Sequence, residues 1–403
     1  MTLPPPVNRD QQPPYTEDAV RQLVKAKLEN VIVKGYIELC DITDIEAMMY
    51  MFHVPKGETD VRMVYDGSKS GLNASLWAPW FSLPTIDTMA RWVIAGSWLA
   101  DNDYGEQFLN FPLHPELQKY CGVDLTQLFP ELTKPESQLV VGRWTRNAMG
   151  LRPSPYSSVQ GALIAKHLIM GDPKDKSNPF TWEIIRLNLP GTQDYDATLP
   201  WILKMRYDGK LAAGLVQYID DLRIMAATKA LAWAASSRMA KGLAYLGLQD
   251  AARKRRESSQ KPGAWAGAVI STQDGIVTKS VTPERWAKTQ KLVRRIAKVF
   301  SLSDIQSQEE EPHDLYSKLG SHSSKLGDQE VYLHYKALES ITGFLTYVAM
   351  TYPMMVPYLK GLHLTLNSWR PNRDPRGWKK RKREVSTEDH GKHPVFVRAV
   401  ARC

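Results

Sequence analysis

The chain has 403 residues, 43% hydrophobic and 24% charged, a globular composition with room for more than one substructure and a sizeable core. Lysine and arginine total 52 against 43 acidic residues, a formal charge of +9 that favours polyanionic partners. Cys40, Cys121 and Cys403 form no CxxC pair and imply an intracellular, reducing compartment, cytoplasm or nucleus; the longest apolar stretch, residues 341–359, is broken by Pro353 and Pro357, so no membrane span or membrane partner is expected.

Residues 1–16 are rich in proline and glutamine and read as disordered or extended. Thr16 can cap a helix whose stripe is Val20, Leu23, Val24 and Leu28, and residues 31–39 read as a strand. Residues 52–57 and 61–66 read as two short strands joined by a polar turn, with Lys56 and Arg62 able to converge on a phosphate. A loop over 67–73 leads to a Trp- and Pro-rich stretch, and 85–99 has helical spacing through Ile86, Met89, Val93 and Ile94. Residues 100–113 read as an acidic strand end, a turn and a Phe/Leu segment, and 140–144 as a strand. The loop 150–155 opens a helix over 156–170 with Val159, Leu163 and Leu168 inward, and 171–200 read as an irregular insertion.

The next stretch is Gly214 to Met225, GLVQYIDDLRIM, in which Asp220 and Asp221 interrupt an otherwise apolar run. Taking two adjacent charges out of water is costly without a counter-charge, so a tight hairpin presenting both carboxylates to a cation is the functional reading. A solvated turn is the alternative for an isolated Asp-Asp pair. Thr228 can cap a helix that Gly247 ends, with Leu231, Ala235, Met239 and Leu243 on one face. The run Arg253 to Arg256 follows, then a small hairpin strand over 264–270. Thr282 and Pro283 start a helix to Phe300 with Trp286, Val293, Ile296 and Phe300 inward and Lys288, Lys291, Arg295 and Lys298 as a basic flank suited to a phosphate backbone. Residues 301–330 are polar, 331–367 apolar and helical or mixed, and a basic tail with the run Lys379 to Arg383 closes the chain.

Taken in order, these segments resemble a reverse transcriptase of the retrovirus and LTR-retrotransposon kind, over roughly residues 50–300 and less clearly to about 370. Tyr218-Ile219-Asp220-Asp221-Leu222 looks like the family's YxDD box, and Asp103 to Phe108, ending in Pro112-Leu113, like the box that supplies the first metal-binding Asp and the aromatic that screens the sugar. Asp101 and Asp103 are both candidates for that Asp; counting back from Phe108 and from Pro112-Leu113 favours Asp103. Gly150 to Pro155 is similar to the loop that holds template and incoming nucleotide, and Lys56, Arg62, Asp66 and Asn73 fall at the spacing of the family's fingertip residues. Trp265-Ala266-Gly267 looks like the hairpin that grips the primer end. Met149 stands where retroviral enzymes often carry Gln, and Gln160 lies one position later than the family's usual downstream Gln.

The resemblance implies an α+β fold, a right-hand polymerase with fingers, palm and thumb whose antiparallel palm sheet is backed by helices. The expected organisation is fingers over 17–100, palm over 101–270 with a fingers insertion near 115–200, thumb over 271–305, a linker over 306–330, a connection-like segment over 331–370 and the basic tail over 371–403. It implies RNA-directed DNA polymerase activity with two Mg²⁺ ions, Mn²⁺ as a substitute, held by Asp103, Asp220, Asp221 and the Tyr104 carbonyl. Lys254 would protonate the leaving pyrophosphate. Lys56, Arg62, Asp66, Phe108, Met149 and Gly150 would surround the deoxynucleoside triphosphate. Asn73, Arg152, Pro155, Tyr218, Trp265, Gly267, Lys288, Lys291 and Arg295 would contact an RNA or DNA template-primer. Other parts of a retroelement polyprotein are expected partners, because no second acidic cluster with ribonuclease H spacing follows residue 300. The rival readings are an RNA-dependent RNA polymerase, against which Phe108 and the Tyr-Ile-Asp-Asp form speak, and a non-catalytic nucleic-acid-binding remnant.

Overall fold

A computed structural model describes residues 5, 7–56, 60–84, 86, 90–133, 138–300 and 335–367; the expected linker and basic tail lie outside them, as do the side chains of Lys56 and Arg295. The chain divides into two compact units. The first comprises Met1–Pro84, Ser97–Ala197 and Trp201–Ser259; the second comprises Thr85–Gly96, Thr198–Pro200 and Gln260–Cys403. No helix among the described residues is long and apolar enough to cross a membrane.

In the first unit, helix α1 (Asp18–Val33) buries Val24 and Leu28, one turn apart on the same face. The helix closes with a paired hydrogen-bond cap, Gly35 N–H to Ile32 O at 2.8 Å and Tyr36 N–H to Val31 O at 3.0 Å, with Gly35 at φ 68°. This corrects the strand expected over 31–39. Val31 and Ile32 complete the helix because they pack on the core, and strand β1 (Ile37–Cys40) begins only after the glycine. Of the disordered and extended readings of the first residues, the described ones take the second. From Asn8 to Tyr15 the chain is extended and pinned: the Gln12 side-chain amide donates to Met51 O at 2.7 Å and accepts from Met51 N–H at 2.9 Å.

Strands β2 (Tyr50–Lys56) and β3 (Asp60–Asp66) form an antiparallel pair with Val54 opposite Arg62. Three further strands form a sheet in the order β1-β6-β5, with β5 Gly122–Asp124 and β6 Val141–Trp144. One core joins these strands to α1, and within it the Tyr65 and Trp144 rings meet edge-on at 4.6 Å.

The second core of this unit lies on a four-stranded antiparallel sheet ordered β11-β4-β10-β9, with β4 Trp98–Asp103, β9 Gly214–Tyr218, β10 Asp221–Ala226 and β11 Arg256–Ser259. Trp98 and Leu99 belong to β4, paired with Ala226 and Met225, so the helix expected over 85–99 is corrected at its end: sheet pairing overrides helical spacing there. Helices α2 (Ser154–Met170) and α3 (Lys229–Tyr245) cover the sheet. Thr228 caps α3, accepting from Leu231 N–H at 3.2 Å, and Ala235, Met239 and Leu243 are buried as expected.

On α2 the inward face is Ser158, Val159, Ala162, Ala165 and Ile169, while Leu163 and Leu168 face out, 40% and 60% exposed. Small side chains win the interior because the helix packs closely: a Cβ on Gly161 would lie 2.3 Å from the Phe111 ring, and one on Gly242 would lie 2.6 Å from Ile169. The insertion read as irregular holds one strand, β7 (Ile184–Leu187), which pairs with β8 (Ile202–Met205) just beyond it. All of β7 is exposed, so it lacks the alternation that marks a half-buried strand.

The second unit holds a three-stranded sheet, β12 (Gly263–Trp265), β13 (Ala268–Ser271) and β14 (Thr278–Ser280). Helices α4 (Pro283–Phe300), α5 (Tyr335–Ala349) and α6 (Val356–Leu366) follow. Among the described side chains of α4, Thr289 and Leu292 are buried, whereas Trp286 and Val293 are 42% and 46% exposed; the expected inward Ile296 and Phe300 lie outside the described side chains. Trp286 meets the Tyr352 ring at 5.5 Å.

Gly150 has φ +118°, and a Cβ there would stand 1.7 Å from the Tyr65 carbonyl oxygen. Gly209, at φ +75°, has nothing within 4 Å. Gly150→Ala should therefore cost about 3 kcal/mol and Gly209→Ala about 1 kcal/mol, the difference being the close approach to strand β3. Urea unfolding of the two variants checks this, and equal midpoints would contradict the packing.

Candidate active site

Strands β9 and β10 are joined by the tightest possible link. Tyr218 pairs with Asp221, leaving Ile219 and Asp220 as the turn. Ile219 has φ 52°, and Asp220 is not in the positive-φ region, the pattern of a type II′ hairpin. A β-branched residue at positive φ is strained, and such strain persists only where neighbours fix it. Two buried glutamine amides do so: Gln107 Nε2 donates to Ile219 O at 3.2 Å and Gln217 Nε2 donates to the same oxygen at 3.0 Å.

The second constraint is the register of β10 on β4, which sets Asp221 opposite Asp103 and Arg223 opposite Asp101. Tyr104 N–H donates to Asp220 O at 2.9 Å and extends this pairing by one step. Arg223, 3% exposed at its side chain, grips Asp101 with both arms, Nε to Oδ1 at 2.7 Å and Nη2 to Oδ2 at 2.8 Å. Of the two candidate aspartates, Asp101 is thus held in a buried ion pair, and Asp103 faces the hairpin.

The basic run after α3 is absorbed by the same acids. Lys254 Nζ lies 2.8 Å from Asp103 Oδ2, Arg255 bonds Asp250, and Arg256 Nη1 lies 3.7 Å from Asp101 Oδ2. Only Arg253 of this run has no acidic partner among the described residues.

Crowding is visible in the proton affinities. Burial, then the charges of Asp220 and Asp103, push the Asp221 carboxyl up to about 6. Burial, then Asp103, raise Asp220 as well, with relief from Lys254 and Arg62. The last contribution places the exposed cation of β3 within electrostatic range of the hairpin. Asp103 Oδ1 is buried and has no N–H or O–H donor. Asp221 can hydrogen-bond Asp103 only when a proton sits on the pair, so with both ionised this oxygen lacks a partner.

Hard oxygens, one of them buried without a donor, fit Mg²⁺ or Mn²⁺. Among the described residues no three His, Cys, Asp or Glu side chains close into a metal cage. An ion bound here would therefore rest on one or two carboxylates and keep positions open for water or phosphate, the usual habit of Mg²⁺.

The other candidates fall in distinct places. Phe108 is half-buried on the turn Gln107–Asn110 directly after β4. Asn73 clamps the 150–152 loop, its Nδ2 donating to Gly150 O at 2.8 Å and its Oδ1 accepting from Arg152 N–H at 2.8 Å. Tyr65 N–H donates to Met149 O at 3.1 Å, joining that loop to β3. Asp66 Oδ1 accepts from Ser68 and Lys69 N–H, so this carboxylate shapes its own turn. Arg152 and Pro155 are exposed, and Tyr218 is half-buried beside the hairpin turn.

In the second unit Lys288 and Lys291 are exposed, as expected of a basic flank. Trp265, on β12, is 5% exposed. Gly267 is clamped: its carbonyl accepts from Arg285 Nη1 at 2.7 Å, and a Cβ there would lie 1.5 Å from the Tyr347 hydroxyl. Residue reading missed Arg223, Gln107 and Gln217. Arg223 had a signal, an arginine at an inward strand position, where only a buried acid could satisfy it.

No protein-family model and no curated protein sequence matches the chain. A solved structure of a foamy viral protease-reverse transcriptase, in complex with double-stranded DNA, is similar to it with a TM-score of 0.53 and 14% identity. The match covers 91% of this chain, which spans about half, 48%, of that one. At this identity the likeness describes the fold: a mixed α/β, reverse-transcriptase-like arrangement of antiparallel sheets and helices.

Asp221 binds its proton more tightly when folded, about 6 against 3.8, so its ionised form costs stability above pH 6 and nothing below pH 4. Asp221→Asn should therefore stabilise the fold at pH 7.5 by about 1–2 kcal/mol, after allowance for solvent screening of a partly exposed group. The gain should shrink through pH 6 and vanish near 4. Thermal melts across pH measure it, and a pH-independent difference would contradict the crowding.

Proposed function

We propose that the chain is an RNA-directed DNA polymerase of a retroelement, adding deoxynucleotides to a primer 3′-hydroxyl on an RNA or DNA template. The observation that carries the reading is the β4–β10 register, which sets Asp103 against Asp221 with Asp220 on the adjoining strained turn. Acids crowded to the point of raised proton affinity are a liability to a binding remnant and an asset to a cation site.

In this reading Asp103 and Asp220 hold two divalent ions, Mg²⁺ or Mn²⁺, with the Tyr104 carbonyl and Asp221 as further oxygens. Those ions, when bound, would activate the primer hydroxyl and neutralise the triphosphate. The chain's own residues do the rest. Lys254 neutralises Asp103 and is a proton donor for the leaving pyrophosphate at the edge of the site. Arg62 supplies positive charge from β3, with Lys56 farther along the same hairpin.

Asn73 fixes the loop of Met149, Gly150 and Arg152 at the heights where nucleotide and template would lie. Phe108, half-buried on its turn, would stack under the sugar and leave no room for a 2′-hydroxyl. Antiparallel β4, β9 and β10 act as the palm, the β2–β3 hairpin as fingers, and α4, with Lys288 and Lys291, as a thumb helix along the duplex. The chain is about half the length of its structural neighbour, so further parts of a polyprotein are expected partners.

Primer extension with Mg²⁺ on RNA and DNA templates tests the reading. The native chain should extend with deoxynucleotides, and Asp103→Asn or Asp220→Asn should lose about 10³-fold or more in rate. Phe108→Ala should narrow discrimination against ribonucleotides by about tenfold or more. Extension by no nucleotide would remove the polymerase reading, and extension by ribonucleotides alone would turn it to an RNA-dependent RNA polymerase.

A further inference from the structure

The turn that carries Phe108 is bolted at both ends. On one side Gly105 N–H donates to Gln249 O at 2.8 Å and Gln249 N–H donates to Asn110 Oδ1 at 2.9 Å. Asn110 Nδ2 also closes the turn on itself, donating to Gly105 O at 2.9 Å. Glu106, at φ 48°, lets the chain reverse there, and the turn leaves β4 immediately after Asp103 and Tyr104. On the other side stands Gln107, 4% exposed, whose Nε2 reaches Ile219 O.

That oxygen belongs to the strained residue between Tyr218 and Asp220. Gln107 is next to Phe108 in sequence, and Ile219 is next to Asp220. One side-chain amide therefore links the turn that would feel the sugar to the turn that holds the acids. Among the described residues the other amide donor to Ile219 O is Gln217, which comes from β9 and has no covalent tie to the Phe108 turn.

Resting on the polymerase reading above, we propose that Gln107 is a positioning residue that couples sugar discrimination to the geometry of the acidic hairpin. A 2′-hydroxyl pressing on Phe108 tilts the turn and draws Gln107 with it. The pull falls on Ile219, whose strained backbone is held by the Gln107 and Gln217 amides, and displaces Asp220 from Asp103. A ribonucleotide is then penalised twice, in binding through the clash and in turnover through the displaced carboxylate. Without the link, the clash alone would raise KM.

Gln107→Leu removes the donor while keeping the volume, and Gln217→Leu removes the other donor without touching the Phe108 turn. Single-nucleotide extension with deoxy- and ribonucleotides, resolved into kcat and KM, is measured for the native chain and both variants. Binding of Mn²⁺ alone, read by electron paramagnetic resonance, is measured beside it. Gln107→Leu should lower the deoxy-to-ribo ratio of kcat by about fivefold or more, leave the KM ratio in place, and weaken Mn²⁺ binding severalfold. Gln217→Leu should weaken Mn²⁺ binding and slow both nucleotides alike, with the kcat ratio unchanged.

An unchanged kcat ratio in Gln107→Leu, or the same drop in Gln217→Leu, overturns the coupling while leaving the polymerase reading standing. If the native chain extends nothing, the polymerase reading falls. The link is then judged on Mn²⁺ alone, and native-like affinity in Gln107→Leu overturns it. Circular dichroism separates either result from a misfolded variant.

Discussion

The pairing of β10 against β4 is the constraint on which the rest of the site depends. Because side chains alternate across a strand, a slip of one residue would send Asp103 and Asp221 to opposite faces. Arg223 and Asp101 prevent that slip. They sit two positions behind the acids on the same two strands, paired by both guanidinium arms and almost wholly buried. Breaking such a pair from one side leaves an uncompensated charge in the interior, a cost of about 3–5 kcal/mol, so the alternative registers lie far above the native one. The ion pair adds little net stability against a well-packed apolar pair; its contribution is to select the register.

The same pair of inner strands gathers more negative charge than it can comfortably hold. Asp101 and Asp103 stand on β4, Asp221 on the neighbouring β10, and Asp220 on the turn that joins β10 to β9. The fold offsets this with cations drawn from one short segment after α3, so that Lys254 and Arg256 become local counter-ions to Asp103 and Asp101. What remains unbalanced is the hairpin. Asp220 and Asp221 hold their protons more tightly than a free carboxyl does, Asp103 keeps one oxygen without a donor, and Ile219 keeps a strained backbone. Unrelieved charge and strain meet at this one turn, the combination on which the proposed cation site rests.

Much of this was legible in the residues. The apolar flanks of Asp220 and Asp221 fix a hairpin, and the spacing from Phe108 and Pro112-Leu113 selects Asp103, which is the aspartate the fold turns toward the hairpin. The basic run, by contrast, looks like a patch for a polyanion until the sheet shows that its partners are aspartates far away in sequence. Gln107 and Gln217 were equally silent, since a glutamine carries no positional preference that would mark it as a donor to one carbonyl, whether two residues away, as for Gln217, or 112 away, as for Gln107. The face of α2 went astray at Leu163 and Leu168, because large apolar residues were assigned inward where close helix packing favours Ser158, Ala162 and Ala165. Val31 to Val33 looked like strand by β-branching alone, and the packing of Val31 and Ile32 on the core kept the segment helical.

In the polymerase reading proposed above, Asp103 and Asp220 share a divalent cation although a lysine now sits on one of them. Diffraction from crystals grown with Mn²⁺ and a deoxynucleoside triphosphate, collected at the manganese edge, would show it. The expected result is an anomalous peak bonded to carboxylate oxygens of both Asp103 and Asp220, at about 2.0–2.2 Å as for a hard divalent ion, with Lys254 moved off Asp103. A structure with nucleotide bound, Lys254 still on Asp103 and no peak between the two aspartates would contradict it.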